Sequence, residues 1–270
     1  MLFNIYLCII TMEPRKVPEK LEDPINKKIL VLIASLAAIF QTFVVLAPET
    51  EETEYVIASI SIINPLIASI LAFHVSRLYG KSMVFGKSYF ILAIALLMMF
   101  AGESSWYLYI FAFGVEDPYP SIADVFFFLF YPLATLHIIM NVRFFKTRIS
   151  LQNKLWIVII PLSIVTIFSF LSLQDIGEAN FDYYYGLLFV SLSSILLSLG
   201  LIGAVIFRGG VLGITWILLL IGILLTTTGD LWYYYLEIPE LYYAGHPVEL
   251  LWYTSYWTIT YALYKHKKII

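Results

Sequence analysis

Apolar residues run through the chain in eight long blocks bounded by charge, glycine or proline. They cover about residues 29 to 47, 55 to 78, 89 to 113, 121 to 141, 155 to 173, 184 to 207, 211 to 236 and 247 to 264. A helix rises about 1.5 Å per residue and the hydrocarbon core of a bilayer is about 30 Å thick, so each block predicts a helix long enough to cross. The blocks are continuously hydrophobic, without the short alternating segments of an outer-membrane barrel. The expected fold is all-α and integral to the membrane, with eight transmembrane helices.

The polar connections between the blocks sort by sign. Arg15, Lys16, Lys20, Lys27 and Lys28 precede the first block, whereas the next connection, Pro48 to Glu54, carries four glutamates and no Lys or Arg. Arg77, Lys81 and Lys87 follow the second block, and Arg143, Lys146, Arg148 and Lys154 the fourth. Arg208 follows the sixth, and Lys265, Lys267 and Lys268 close the chain. With eight crossings all 16 basic residues share one side. The positive-inside rule makes that side cytoplasmic. The expectation is a multi-pass protein of the cell membrane with both termini, residues 1–28 and 265–270, in the cytoplasm.

Blocks three and four resemble blocks seven and eight. The first pair reads Gly102-Glu103-Ser104-Ser105-Trp106-Tyr107, a loop, then Pro120-Ser121-Ile122-Ala123-Asp124. The second reads Gly229-Asp230-Leu231-Trp232-Tyr233-Tyr234, a loop with Gly245-His246, then Pro247-Val248-Glu249. In both, an acid follows Gly and precedes aromatics, and a second acid follows a Pro. This internal repeat suggests two four-helix halves, residues 29–150 and 151–264. An even number of spans per half makes the halves parallel, related by a pseudo-twofold axis along the membrane normal.

Composition narrows the function classes. Of 270 residues, 61% are apolar and 13% charged, and the mean hydropathy is +0.87, which leaves no room for a soluble domain. A net charge of −3 gives no reason to expect nucleic acid as a partner; the bilayer is the expected one. The lone cysteine, Cys8, excludes an intrachain disulfide, a CxxC pair and a thiolate metal cluster. The first eleven residues are too short to span and lack the basic start of a signal peptide, so Met12 is a second candidate start. There is no Gly-rich phosphate loop, HExxH or GxSxG, so no catalytic residue is assigned, and cofactor and metal stay open. His74 and His137, near the cytoplasmic ends of blocks two and four, read as interfacial histidines ahead of haem or metal ligands. Asn64-Pro65 marks an expected kink in the second block.

The outer half carries the candidate site. Intramembrane acids are costly and mark function by default, which singles out Glu103 within the third block and Asp230 at the outer boundary of the seventh. Asp124 and Glu249 have a competing reading as first-turn acids favoured by the helix dipole, Asp124 in a capping box with Ser121. An aromatic belt accounts for much of the surrounding Trp and Tyr, including Trp106 and Trp232. It does not account for Glu249, Trp252, Tyr253 and Tyr256, whose spacing by three and four places them on one helical face. With every Lys and Arg on the other side, the four acids are either protonated, wet, satisfied by Ser, Tyr and Trp donors, or bound to an external cation. The candidate ligand-binding residues are Glu103, Trp106, Asp124, Asp230, Trp232, Glu249, Trp252 and Tyr256, and the candidate ligand is a small cation.

The segment PYPSIADVFFFLFYPLATL, Pro118 to Leu136, and the stretch GDLWYYYLEIPELYYAGHPVELLWYTSYWTITYAL, Gly229 to Leu263, resemble the multi-span N-terminal membrane regions of prokaryotic diguanylate cyclases and histidine kinases. The resemblance is specific over these two patches, about a fifth of the chain. It implies a sensory or ligand-binding membrane module. Those regions precede an output domain, whereas this sequence closes on Lys265-His266-Lys267-Lys268-Ile269-Ile270, so a separate cytoplasmic signalling partner is expected. The alternatives are a small-solute or ion transporter and, after it, an integral-membrane lipid enzyme or a structural subunit of a membrane complex.

Overall fold

The computed structural model describes residues 25–47, 50–80, 82, 85–115, 118–145, 150–207, 213–237, 241–243 and 246–269. Cys8, Met12 and the basic residues before position 25 lie outside them. All regular structure among the described residues is helical: α1 (Lys27–Leu46), α2 (Glu51–Leu78), α3 (Phe85–Phe113), α4 (Ile122–Phe145), α5 (Leu151–Ile176), α6 (Phe181–Phe207), α7 (Gly213–Glu237) and α8 (Glu249–Ile269).

Local chemistry explains where several helices begin and end. The side chains of Asn26, Thr50 and Ser150 accept from the backbone N–H groups of Lys28, Thr53 and Asn153 and so cap α1, α2 and α5. Glu51, Glu52 and Glu54 lie on the positive end of the α2 dipole. Asn180 Oδ1 accepts from Tyr183 N at 2.9 Å at the start of α6. Gly177, at φ 76°, ends α5 in a conformation that a side chain disfavours.

Seven helices, α1 to α7, are long and apolar enough to cross a membrane. The eighth block forms a helix as expected, but α8 does not reach that apolar standard. Its sequence, ELLWYTSYWTITYALYKHKKI, is rich in hydroxyls and aromatics. Several of those groups are satisfied within the protein. The Trp257 indole donates to Asn64 Oδ1 at 3.0 Å, Thr258 bonds back to the Thr254 carbonyl at 2.7 Å, and Ser255 bonds Thr226 of α7.

Helix neighbours close a ring: α2 packs on α3, α3 on α4, α4 on α6, α6 on α7, α7 on α8, and α8 back on α2. Leu92, Leu96, Ile138, Leu196, Leu219 and Ile259, all at most 2% exposed, fill its apolar middle. Close approach of α2 and α3 uses small residues: Ala68, Ala72, Ala93 and Ala95 are fully buried, and Ser69 donates to the Ala93 carbonyl at 2.8 Å. Outside the ring, α1 lies against α8 and α5 against α6. Each buries a narrow stripe, Ile33, Ala37 and Phe40 on α1 and Phe168 and Ser172 on α5. The remaining faces expose large apolar side chains such as Ile39, Val158 and Leu162, a surface suited to lipid.

Candidate functional site

The four acids singled out from the sequence all lie at the end of the bundle where α3 and α7 finish and α4 and α8 begin. Glu103 is ten residues before the end of α3, about 15 Å, and Asp230 seven before the end of α7, about 10 Å. Asp230 is 9% exposed.

Asp230 is held by two donors. Tyr131 of α4 donates to Oδ2 at 2.8 Å and the Trp252 indole of α8 to Oδ1 at 3.0 Å. Gly229 makes room for the indole: a Cβ there would lie 2.7 Å from Trp252 Nε1. Glu249 is similarly clasped, Oε1 by Tyr242 at 3.0 Å and Oε2 by Tyr253 at 2.5 Å. Burial and the Glu249 carboxylate push the Tyr242 phenol up from its ordinary range, so Tyr242 keeps its proton and serves as donor.

Asp124 completes the capping box that its spacing foreshadowed. The Ser121 N–H donates to Asp124 Oδ2 at 2.5 Å, and Ser121 Oγ accepts from Ala123 N at 3.2 Å. Its other oxygen accepts from Tyr185 of α6, and Tyr119 is within electrostatic range. Asp124 therefore belongs to the α4–α6 junction.

Glu103 differs from the other three. It is only partly buried, and among the described residues its carboxylate accepts no hydrogen bond. Glu249 and the phenols of Tyr107 and Tyr256 are within its electrostatic range, and Tyr256 feels Asp230 as well. Tyr107, four residues after Glu103, shares its helical face. Tyr256 is 6% exposed.

Two of the candidate aromatics stand apart. Trp232 is 42% exposed, and its ring meets His246 edge-on at 5.4 Å. The reason is helical phase, since two residues beyond Asp230 is about 200° around α7. Tyr233 takes the inward place instead, 5.6 Å from the Trp252 ring. Trp106 is partly buried, and among the described residues it makes no hydrogen bond or ring contact.

At the opposite end a second polar cluster involves residues the sequence reading did not join. His137 is fully buried, its Nδ1 against the Ser88 carbonyl at 2.8 Å and its ring stacked on Trp216 at 5.5 Å. His266, also fully buried, bonds Tyr79 through Nε2 at 2.9 Å and stacks on Tyr89 at 4.7 Å. Tyr89 contacts both imidazoles, with His137 at 5.0 Å. His137 thus packs against a backbone carbonyl in the protein interior. Its neighbour across Tyr89 is His266, which lies in the segment expected as the cytoplasmic terminus, residues 265–270. Among the described residues no three of His, Cys, Asp and Glu come together as metal ligands.

Comparison of the chain with protein-family models, with curated proteins and with solved structures finds no match.

Proposed function

We propose that the protein is a sensory or ligand-binding membrane module whose site surrounds Glu103 at the acidic, aromatic end of the ring, facing outward across the cell membrane. One observation carries this reading. Of the four candidate acids gathered at that end, three have both oxygens occupied by phenol, indole or backbone donors, and Glu103 alone has none among the described residues. A carboxylate placed ten residues inside an apolar helix without a donor is costly unless it takes up a proton or something outside the chain completes it, and a ligand that arrives there finds an acid free to ionise against it.

The two-half organisation belongs to the same proposal. Gly102 faces Phe127 as Gly229 faces Trp252, and in each case the ring belongs to the residue three beyond the acid that opens the next helix. Tyr131 and Tyr256 stand seven beyond those acids, and each relates to an intramembrane acid. Exchanging residues 29–150 with 151–264 also maps the ring of α2, α3, α4, α6, α7 and α8 onto itself. The resemblance of Pro118–Leu136 and Gly229–Leu263 to membrane sensory regions favours sensing, with output through a separate cytoplasmic partner. The transporter alternative draws on the same repeat, but α2, α4 and α5 each continue through an internal proline, at Pro65, Pro132 and Pro161, without breaking at mid-depth.

The test is a thermal-shift screen of purified protein against small solutes, in wild type and Glu103→Gln. Ligands that bind the native state raise the melting temperature by mass action. The Gln variant is expected to match the ligand-free wild type in stability and to lose the ligand-dependent rise. A variant that responds like wild type, or that loses several kcal/mol of stability without ligand, overturns the reading.

A further inference from the structure

At the end of the bundle opposite the four acids, one arrangement recurs on four helices. On α1, Lys28 shares a face with Leu32, Leu36 and Ile39, spaced by four, four and three residues. On α2, Arg77 stands seven residues from Ile70, which stands seven from Ile63. On α4, Arg143, Leu136 and Leu129 keep the same spacing of seven, and on α5 Lys154, Val158 and Leu162 are four apart. Seven residues bring a helix back to within about 20° of its starting face. The four basic residues are exposed, and the nine apolar ones are each at least 42% exposed. Each of these helices therefore turns outward a cation that heads an apolar stripe.

We propose that these four positions are binding sites for anionic phospholipid, with the phosphate held by Lys28, Arg77, Arg143 or Lys154 and the acyl chains laid along the stripe of the same helix. The proposal is independent of Glu103 and its ligand.

Depth supports it. Lys28 lies one residue inside the start of α1 and Lys154 three inside α5, while Arg77 and Arg143 stand one and two residues before the ends of α2 and α4. That is headgroup level, where long basic side chains extend their charge toward the interface. Ile70 and Leu136 then lie about 10 Å along the axis from Arg77 and Arg143, against about 15 Å for half of a 30 Å hydrocarbon core. One lipid spans from the cation to the stripe within its own leaflet.

Charge supports it independently. Every described acid lies in the opposite half of the bundle, and among the described residues none of the four cations forms an ion pair. The connections at 79–84, 146–150 and 208–212 and residues 265–270 add further Lys and Arg in sequence, and no Asp or Glu. The first 24 residues carry three basic residues against four acids, one net negative charge beside the thirteen basic residues that follow. The positive-inside rule accounts for the basic residues, but acids have little influence on orientation, so topology does not require their exclusion. A face that attracts lipid phosphate accounts for both.

Placement selects lipid over a soluble acidic partner. α1 and α5 lie outside the ring, so Lys28 and Lys154 stand at the periphery of the bundle, and all four cations share a face with apolar side chains suited to acyl chains. A protein docking on the end of the bundle would make no use of those stripes.

The experiment compares purified full-length protein in nanodiscs of phosphatidylcholine with protein in an equal mixture of phosphatidylcholine and phosphatidylglycerol. Melting temperature is read at low and high sodium chloride, and the lipids retained on release from the nanodisc are identified by mass spectrometry. Wild type is expected to melt higher in the mixture, to lose part of that rise in high salt, and to retain phosphatidylglycerol in preference to phosphatidylcholine. The fourfold variant Lys28→Gln, Arg77→Gln, Arg143→Gln, Lys154→Gln should melt as wild type does in phosphatidylcholine and lose both the rise and the preference. Arg77→Lys with Arg143→Lys should keep most of each. If the fourfold variant does not fold, the four single Gln variants replace it, each expected to lose part of the rise. A wild type indifferent to phosphatidylglycerol, or a rise that survives in the fourfold variant or in all four single ones, overturns the proposal. So does a full rise in phosphatidylcholine nanodiscs on adding polyglutamate or glycerol phosphate, which would assign the face to a soluble acidic partner or to a free phosphate.

Discussion

Tyr131 on α4 donates its phenolic hydrogen to Asp230 on α7 across 2.8 Å, joining helices from the two proposed halves at a point where neither side chain is more than 9% exposed. The bond connects the acid of α7 to the helix that begins with Asp124. Trp252 of α8, which packs directly on α7, supplies the second donor at 3.0 Å. A carboxylate inside a helical bundle is thus held from two sides by neutral donors, with Ser193 of α6 beside it.

This arrangement predicts the energetics of the pair. Tyr131→Phe removes one donor and leaves the acid with the other, at an expected cost of about 1–2 kcal/mol in detergent unfolding. Trp252→Phe should cost a similar amount. The double variant should lose more than the two together, because only then is the acid bare, and Asp230→Asn in that background should recover part of the loss. A neutral Tyr131→Phe variant contradicts the assignment of this bond.

The glycines that precede the two intramembrane acids give a second prediction. A Cβ at Gly102 would lie 2.4 Å from the Phe127 ring, and one at Gly229 would lie 2.7 Å from the Trp252 indole. Gly102→Ala and Gly229→Ala should each cost about 1–3 kcal/mol through overpacking, although alanine is the better helix former. The penalty at 102 should shrink in a Phe127→Ala background. Equal stability of the alanine variants with wild type excludes the tight ring-on-glycine contacts.

Much of this was legible before the fold. All eight apolar blocks became helices because continuous hydrophobicity over about 20 residues has few other outcomes in lipid. Asp124 in its capping box was legible because a cap depends on neighbours three residues apart. Helical phase placed Trp252 and Tyr256 on one face of α8, but the belt-like run after Asp230 hid the fact that Trp232 turns outward while Tyr233 turns in. Three relationships were not legible. Tyr131 reaches Asp230 across 99 residues of sequence, Trp257 reaches Asn64 across 193, and Tyr79 reaches His266 across 187. Each depends on α8 or α7 closing the ring, which no local pattern encodes. The apolar count grouped α8 with the other spans, whereas both its indoles and several of its hydroxyls are partnered inside.

The buried end of α8 yields a third prediction. His266 sits between Tyr79, Tyr89 and Phe85, with ring centroids 5.3, 4.7 and 6.4 Å away, and is wholly shielded from solvent. His266→Ala opens a cavity and orphans the Tyr79 hydroxyl, for an expected loss of about 2–4 kcal/mol. Tyr79→Phe should cost nearer 1 kcal/mol. Hydrogen exchange should show the loss of protection concentrated in the last two turns of α8 and the adjoining starts of α1 and α3. Unchanged exchange in His266→Ala would place this imidazole outside the packed core.

Topology is the remaining prediction, and α8 makes it consequential, because this helix is less apolar than the other seven. Its closing turns are tied to two other helix ends: the Asn26 N–H donates to Tyr261 at 3.0 Å, and Tyr79 bonds His266 at 2.9 Å. The start of α1, the end of α2 and the end of α8 therefore lie on one side of the bundle. The positive-inside rule predicts that this side faces the cytoplasm, since Lys27, Lys28, Arg77, Lys87, Arg143 and Lys154 gather there, whereas Glu51, Glu52 and Glu54 lie in the first turn of α2 at the other. In a Cys8→Ser background, an impermeant maleimide applied to intact cells should label Glu52→Cys and leave Lys28→Cys, Ser150→Cys and Ile270→Cys unlabelled until the membrane is opened. External labelling of Ile270→Cys together with protected Lys28→Cys would separate ends that the Asn26 and Tyr79 bonds join. Labelling of Glu52→Cys only from the cytoplasmic side would turn the acidic site to face the cell interior, and an external ligand would no longer have a route to Glu103.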